Sequence, residues 1–221
     1  EVAVGAGLPT QALVTDMNQV LGTTAGNAVE VREAIDFLTG AAREPRLLAL
    51  TLALAGRMLW LGGLASSPAR GELQALQALD DGRAAERFER MVAGLGGPSR
   101  VLARGGAQLP AAPVQRVLPS PRAGVLTSMD TRLMGMVVVA LGGGRRRATD
   151  PVDPRVGLTR VLPVGSKVRA GDPLLRVHAA NAADADAALR TLVDALPIGD
   201  GPALPDPPVV RGVVGRPGRS G

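Results

Sequence analysis

A turn of small residues that leads into an acidic helix is the first place in the sequence where chemistry could occur. The turn covers residues 22–27, and Glu30 and Glu33 follow it in a stretch, 27–39, whose apolar residues recur at helical spacing. The turn therefore leads directly into a helix N-terminus that has carboxylates in its early turns. A ligand or a cation can bind at such a position. A plain, solvated acidic face is the alternative interpretation.

A glycine-rich and cationic stretch, from Gly142 to Arg147, is the second candidate. It follows a predicted helix instead of preceding one, so its amides would not converge on a phosphate as they do in a P-loop. One interpretation is a helix stop followed by solvated arginines. The other is a mobile loop that closes over a ligand. Its glycines would act as hinges, and each arginine could bind two ligand oxygen atoms in a bidentate manner.

Groups for acid–base or nucleophilic catalysis are scarce. His178 is the only histidine, and no serine or carboxylate is placed by sequence to pair with it, which favours a structural role. Cysteine is absent, which excludes disulfides, thiol catalysis and cysteine metal sites. The sequence therefore identifies no catalytic residue and no substrate-binding residue.

The bulk composition restricts the partners. Lys and Arg number 25 against 20 Asp and Glu, a formal net charge of +5, and aromatic residues are 1% of the chain. A mild charge without aromatic stacking residues argues against a nucleic-acid partner.

The most apolar stretch, 47–61, is shorter than the roughly 20 residues a bilayer demands, carries Arg57 and favours a helix buried on most sides. No signal peptide opens the sequence, so we expect a cytoplasmic protein without a membrane partner. Because the sequence begins with Glu1 and not Met, we expect that its start has been lost or cut.

Helices and strands alternate around the two candidates. Periodicity and caps predict helices over 27–39, 46–61, 68–79, 83–93, 131–141 and 182–196. Alternating or continuous apolar runs predict strands over 12–16, 114–118, 123–128, 156–162 and 173–179. Val137 to Val139 favour a strand, but the Asp130 cap and the spacing of apolar residues favour a helix there.

Three long stretches carry a resemblance to a known family, in the order in which that family has them. They are TDMNQVLG with GNAVEVREAI inside Thr15–Gly40, MDTRLMGMVVVALGGGRRRATDPVD at Met129–Asp153, and VGSKVRAGDPLLRVHA at Val164–Ala179. They resemble the pyrimidine nucleoside phosphorylases, the family that includes the thymidine phosphorylases. The resemblance covers nearly all of residues 10–197.

The resemblance implies an α/β fold. Residues 1–112 would form the C-terminal part of a mixed-sheet α/β domain, and residues 113–197 a small, hammerhead-like α+β domain. Residues 198–221 are rich in Pro, Gly and Arg with little periodicity, so we expect a disordered tail.

The resemblance also implies a reaction. The family uses phosphate to cleave pyrimidine deoxynucleosides, giving the free base and 2-deoxyribose 1-phosphate, requires no cofactor and acts as a homodimer. Its phosphate- and base-binding residues precede the TDMNQ motif and include two lysines, whereas Lys167 is the only lysine here. The sequence thus resembles the C-terminal half of such an enzyme, and we expect it to be inactive alone, with exposed strand edges and apolar helix faces.

Two sites follow from the resemblance alone. In some members a monovalent cation such as potassium is bound by the backbone carbonyls of the turn and a helix glutamate, which match Leu21, Thr24 and Glu33. A loop that closes the cleft between domains matches Gly143, Gly144, Arg145 and Arg146, with a gating role.

Two rival functions stay open. VGSKVRAGDPLLRV resembles the hairpin of biotinyl and lipoyl carriers, with Lys167 close to the position of the modified lysine but without its usual neighbours. Alternatively, the arginines at 145–147 and in the tail could bind an anion or a nucleic acid.

Overall fold

A computed structural model describes residues 2–103, 106–202 and 207–215. It confirms a mixed α/β fold with several small sheets. The helices in the described part are α1 (Val2–Gly5), α2 (Asn27–Thr39), α3 (Pro45–Leu61), α4 (Pro68–Asp80), α5 (Arg83–Gly94), α6 (Thr131–Ala140) and α7 (Ala182–Ala195). The strands are β1 (Ala12–Thr15), β2 (Ala25–Gly26), β3 (Val114–Pro119), β4 (Gly124–Leu126), β5 (Gly157–Thr159), β6 (Lys167–Val168), β7 (Pro173–Ala179), β8 (Ile198–Gly199) and β9 (Val210–Val214).

Side-chain caps set the start of several helices. A side-chain oxygen of the capping residue accepts a hydrogen bond from an amide of the first turn, which satisfies a donor without a helical partner. The capping residues are Glu44 for α3, Ser67 for α4, Asp130 for α6 and Asn181 for α7. The Asp130 cap explains why the valines of α6 are helical despite their preference for strands, as the sequence predicted.

The chain divides into two compact units, which are described separately. Unit 1 is Glu1–Asp16, Phe37–Ser99 and Pro207–Gly221, and unit 2 is Met17–Asp36 and Arg100–Asp206. These are groups of residues in mutual contact, so the domain boundary expected near residue 112 stays a prediction.

Unit 2 holds a continuous hydrophobic core. An antiparallel sheet of order β2-β5-β7-β3 and a second sheet of order β6-β4-β8 surround it, and α7 packs on β3, β7 and α6. Leu126, Leu158, Val177 and Leu192 are 0% exposed within this core. Burial this complete stabilises each such side chain by about 1.5–3 kcal/mol, so unit 2 has the interior expected of an independent domain.

The described part of unit 1 contains helices α1, α3, α4 and α5, the last residues of α2 and a two-stranded ribbon. Helices α3 and α4 cross where Gly56 faces Gly71, and a Cβ atom on Gly71 would collide with the Gly56 carbonyl. The absence of both side chains is what allows this close crossing. Strands β1 and β9 pair antiparallel, from Ala12 opposite Val214 to Thr15 opposite Val210.

A buried cluster of ion pairs connects the three chain segments of unit 1. The Asp16 side chain is 1% exposed and binds Arg46 at 3.1 Å and Arg211 at 2.6 Å. The Arg46 side chain is 6% exposed and also donates to the Pro207 carbonyl at 3.2 Å. Asp16 therefore connects the end of β1 to α3 and to β9.

The structure corrects two expectations. The tail at 198–221 was expected to be disordered, but β8 and β9 lie within it, and β9 pairs with β1 about 200 residues earlier. The stretch 47–61 was expected to be buried on most sides, yet Arg46 and Gly56 are the only buried residues of α3. No helix within the described ranges combines the length and hydropathy needed to cross a bilayer.

Replacing Asp16 tests the cluster. In an Asp16→Ala variant the buried Arg46 guanidinium loses a charged partner, so we expect the free energy of unfolding to fall by about 3–5 kcal/mol. Asp80→Ala is the matched control, because Asp80 pairs with Arg43 at 2.6 Å but its side chain is 57% exposed. That loss should stay within about 1 kcal/mol. Urea unfolding measures both, and equal losses would contradict the role of the cluster.

Candidate functional site

A glutamate from α2 holds the small-residue turn. The Glu33 carboxylate accepts hydrogen bonds from the Thr23 amide and hydroxyl, both at 2.6 Å, and from the Thr24 hydroxyl at 2.6 Å. A Cβ atom at Gly22 would lie 2.5 Å from this carboxylate, so glycine leaves the space that the carboxylate fills. A partly buried anion that accepts several hydrogen bonds is strongly anchored. Glu33 is therefore part of the turn and not of a plain solvated face.

The three sequence motifs meet around this turn. The Gln19 side chain of the first motif accepts a hydrogen bond from the Val164 amide of the third at 2.9 Å. Between the first and second motifs, the Thr131 hydroxyl donates to the Met17 carbonyl at 3.0 Å. Backbone groups that side chains satisfy in this way fix the path of the chain through an irregular segment. The unusual polar residues of the motifs thus join segments that are far apart in sequence.

The turn and the glycine-rich loop also touch. The Asn27 side-chain amide, at the start of α2, donates to the Gly143 carbonyl at 3.0 Å. The Gly143 amide in turn donates to the Val138 carbonyl at 2.9 Å, which ends α6. The two candidate sites from the sequence are therefore neighbours within unit 2.

An aspartate organises the arginines of this loop. The Asp150 carboxylate accepts hydrogen bonds from the amides of Arg146 at 3.1 Å and Arg147 at 2.8 Å, and the Arg145 side chain donates to the Asp150 carbonyl at 3.1 Å. The side chains at 145–147 are exposed, and within the described part of the chain no ion pair engages the guanidinium groups of Arg146 and Arg147. The loop therefore exposes two guanidinium groups that form no ion pair with the described residues.

His178 has a structural environment. It lies on β7, and its Nε2 atom is 2.8 Å from the Thr159 hydroxyl on the neighbouring strand β5. Burial, and secondarily the nearby Arg176 charge, lowers its pKa below the ordinary value. A neutral histidine that bonds a neighbouring strand agrees with the structural role expected from the sequence.

Lys167 does not lie at a hairpin tip. It is in β6, opposite Val125 of β4, whereas the next strand, β7, pairs with β3 and β5. Carrier lysines need an exposed tip between two paired strands, so the structure disfavours the carrier interpretation.

The residues of the expected cation site are assembled in part. Glu33 bonds Thr24 in the turn, which directly follows Leu21, and its carboxylate supplies the hard oxygen that such a cation prefers. Among the described residues, no group of three or more His, Asp or Glu side chains could hold a metal ion, so a cation here would depend on backbone carbonyls.

The sequence did not identify Gln19, Asn27 and Asp150 as residues that connect the site. Gln19 and Asn27 each bond a backbone group of a segment far away in sequence, and no side-chain pattern reveals such a partner. Asp150 had the clearest signal, because an aspartate shortly after a glycine-rich stretch is typical of a turn that binds its own amides.

Comparisons with known proteins give a consistent assignment along the chain. The family model described as glycosyl transferase family, a/b domain, matches residues 2–85, and the one described as pyrimidine nucleoside phosphorylase C-terminal domain matches residues 125–199. The curated thymidine phosphorylase of Mesorhizobium japonicum is 48% identical over 216 residues, which cover 98% of this chain and 49% of that protein. The chain thus spans about half the length of the curated relative that it matches.

Proposed function

Because this chain belongs to the pyrimidine nucleoside phosphorylase family, we propose that it forms the C-terminal half of a thymidine phosphorylase. The reaction converts thymidine and phosphate to thymine and 2-deoxyribose 1-phosphate, and the enzyme class is a pentosyltransferase. The observation that carries the proposal is the 48% identity to a curated thymidine phosphorylase over 98% of the chain.

The chemistry in this proposal depends on positioning and charge. A phosphate oxygen attacks the sugar carbon C1′ while the bond from C1′ to the pyrimidine nitrogen breaks, and the leaving pyrimidine anion accepts a proton. Binding both reactants in line lowers the entropic part of the barrier, and nearby positive charge stabilises the developing anions. The groups that hold phosphate and base belong to the half that this chain does not match, so the chain alone is proposed to be inactive.

The glycine-rich loop is proposed to close the cleft. The Asn27 bond and the end of α6 hold Gly143, so movement would begin beyond it, at Gly144. Arg145 and Arg146 lie past this hinge, and Arg146 has an exposed guanidinium group that can bind phosphate or base oxygens when the loop closes. Their role is gating and electrostatic, without a covalent step.

The turn is proposed to bind a monovalent cation such as potassium. Leu21 and Thr24 would supply backbone carbonyls and Glu33 a carboxylate oxygen. When bound, the cation would hold the turn in place by charge. The homodimer and the cytoplasmic location of the family belong to the same proposal, with thymidine and phosphate as the small-molecule partners.

A chimera tests the activity. The half of the Mesorhizobium relative that this chain does not match is fused ahead of this chain, and thymine release from thymidine is followed by ultraviolet absorbance. We expect phosphate-dependent turnover in the chimera and none in this chain alone. A folded chimera without turnover, or clear turnover by this chain alone, would contradict the proposal.

Adjacent arginines give a matched test of the loop. In the chimera, Arg146→Ala removes a charge-assisted contact that forms on closure and is worth about 1.5–3 kcal/mol, so kcat/KM should fall about 10- to 100-fold. Arg147→Ala is the control, because its amide also binds Asp150 and the substitution keeps that amide. Steady-state kinetics that showed equal losses for both variants would argue against a specific role for Arg146.

Replacing Glu33 tests the cation site without measuring activity. In the chimera, exchanging sodium for potassium chloride should raise the thermal midpoint, because only the folded state binds the ion. Glu33→Gln should abolish this increase. Glu30→Gln is the control, since Glu30 is exposed and, among the described residues, accepts a hydrogen bond from the Gly26 amide at 2.8 Å. A potassium effect of the same size in both variants would exclude a site at Glu33.

A further inference from the structure

The four-stranded sheet of unit 2 has a face that the proposed reaction does not use. Across its strands β3, β7 and β5, Gln115 lies opposite His178, and Arg176 lies between Val117 and Thr159. Residues that pair in this way, and residues two apart on one strand, share one face of a sheet. These five side chains therefore form a single surface, which we call the outer face.

Helix α7 covers the other side of the same strands. Arg116 stands between Gln115 and Val117 in β3, and its side chain lies 4.0 Å from Asp186 on α7. Because successive residues of a strand point to opposite sides, the outer face is turned away from α7. Gln115 and Val117 are exposed, and the other three residues of the outer face are partly buried.

Arg176 is the central cation of the outer face. Its Nη1 atom donates to the Gln115 side-chain oxygen at 3.0 Å, and its Nε atom is buried without a hydrogen-bond partner. Within the described ranges no carboxylate forms an ion pair with it. A guanidinium group has five N–H donors and no acceptor, so most of its hydrogen-bonding capacity is unused. An anion is the strongest acceptor for such a group.

Two neighbours of Arg176 add donors. The Gln115 oxygen is already occupied, which leaves its amide nitrogen to donate. The Thr159 hydroxyl lies 2.8 Å from Nε2 of His178, and when that hydroxyl donates, the imidazole carries its proton on Nδ1. Among the described residues Nδ1 has no partner. The outer face thus offers N–H groups from three side chains.

The local charge is positive and is not balanced. Burial, and secondarily the Arg176 charge, lowers the pKa of His178. Arg160, which directly follows Thr159 in the chain, is exposed and forms no ion pair with the described residues. None of the five residues of the outer face is acidic. A bound anion would offset this charge.

We propose that the outer face binds a small oxyanion of the phosphate type, held by the Arg176 guanidinium, the Gln115 amide and the His178 ring. Free phosphate and the phosphate group of a sugar phosphate share this chemistry. None of these residues belongs to the turn or to the glycine-rich loop, so the site is additional to those described above. The inference does not use the family assignment, so it and the proposed function can fail separately.

The single histidine of the chain provides a specific probe, because His178 gives the only imidazole signal in a proton magnetic resonance spectrum. Sodium phosphate is titrated into this chain at constant pH, with sodium chloride keeping the ionic strength constant. We expect a saturable shift of the His178 ring signal. Ribose 5-phosphate is titrated in the same way, and the probe that saturates at the lower concentration identifies the source of the phosphate group.

Two variants remove the proposed site in different ways. Arg176→Gln removes the central charge and should weaken phosphate binding about tenfold or more. Gln115→Glu keeps Arg176 but places a carboxylate beside it, which competes with the anion and should weaken binding similarly. Gln115 is exposed, so this second variant remains informative if Arg176→Gln does not fold.

Arg116→Gln is the matched control, because it removes the same charge from the opposite side of the sheet. It should bind phosphate as the unchanged chain does, and circular dichroism checks that each variant is folded. A shift that fails to saturate with either probe would overturn the proposal. So would unchanged binding in Gln115→Glu, or a loss in Arg116→Gln equal to that in the other two variants.

Discussion

The burial of apolar surface is the constraint on which the rest of the structure depends, and the two units meet it to different degrees. In unit 2, β7 and α7 bring fully buried leucines and valines together, and this core supports the irregular segments around it. In unit 1, α3 is rich in leucine, but its fully buried residues are Arg46 and Gly56. The same physical requirement thus distinguishes unit 2, which has a continuous core, from unit 1, which has few buried apolar side chains in its described part.

The candidate site belongs to the complete unit. Glu33, Asn27 and Asp150 each bind backbone groups, so the turn and the glycine-rich loop keep their geometry through hydrogen bonds within unit 2. These contacts hold the framework of the proposed site, while the side chains at 145–147 stay exposed. This division agrees with a chain that positions and closes an active site whose binding groups lie elsewhere.

The sequence predicted most elements because their signals are local. Caps at Ser67 and Asp130 and prolines at the first helical turn gave the helix starts, and the spacing of apolar residues gave the extent of α2 and α7. Strand β9 was missed because a glycine- and proline-rich tail has no periodicity, and its stability comes from β1 and from the Arg211 bond to Asp16. The burial of α3 was predicted wrongly for a related reason: a sequence indicates that a helix needs cover but not whether the cover is present.

The most direct measurement of the central claim, our proposal that this chain forms one half of a thymidine phosphorylase, is hydrogen exchange of backbone amides. It is measured by mass spectrometry on this chain alone and on the chimera with the unmatched half of the relative. If the account is right, amides of α3 and β1 exchange rapidly in the isolated chain and become strongly protected in the chimera, while those of β7 and α7 are equally protected in both. If α3 is already fully protected in the isolated chain, unit 1 needs no further cover and the account is wrong.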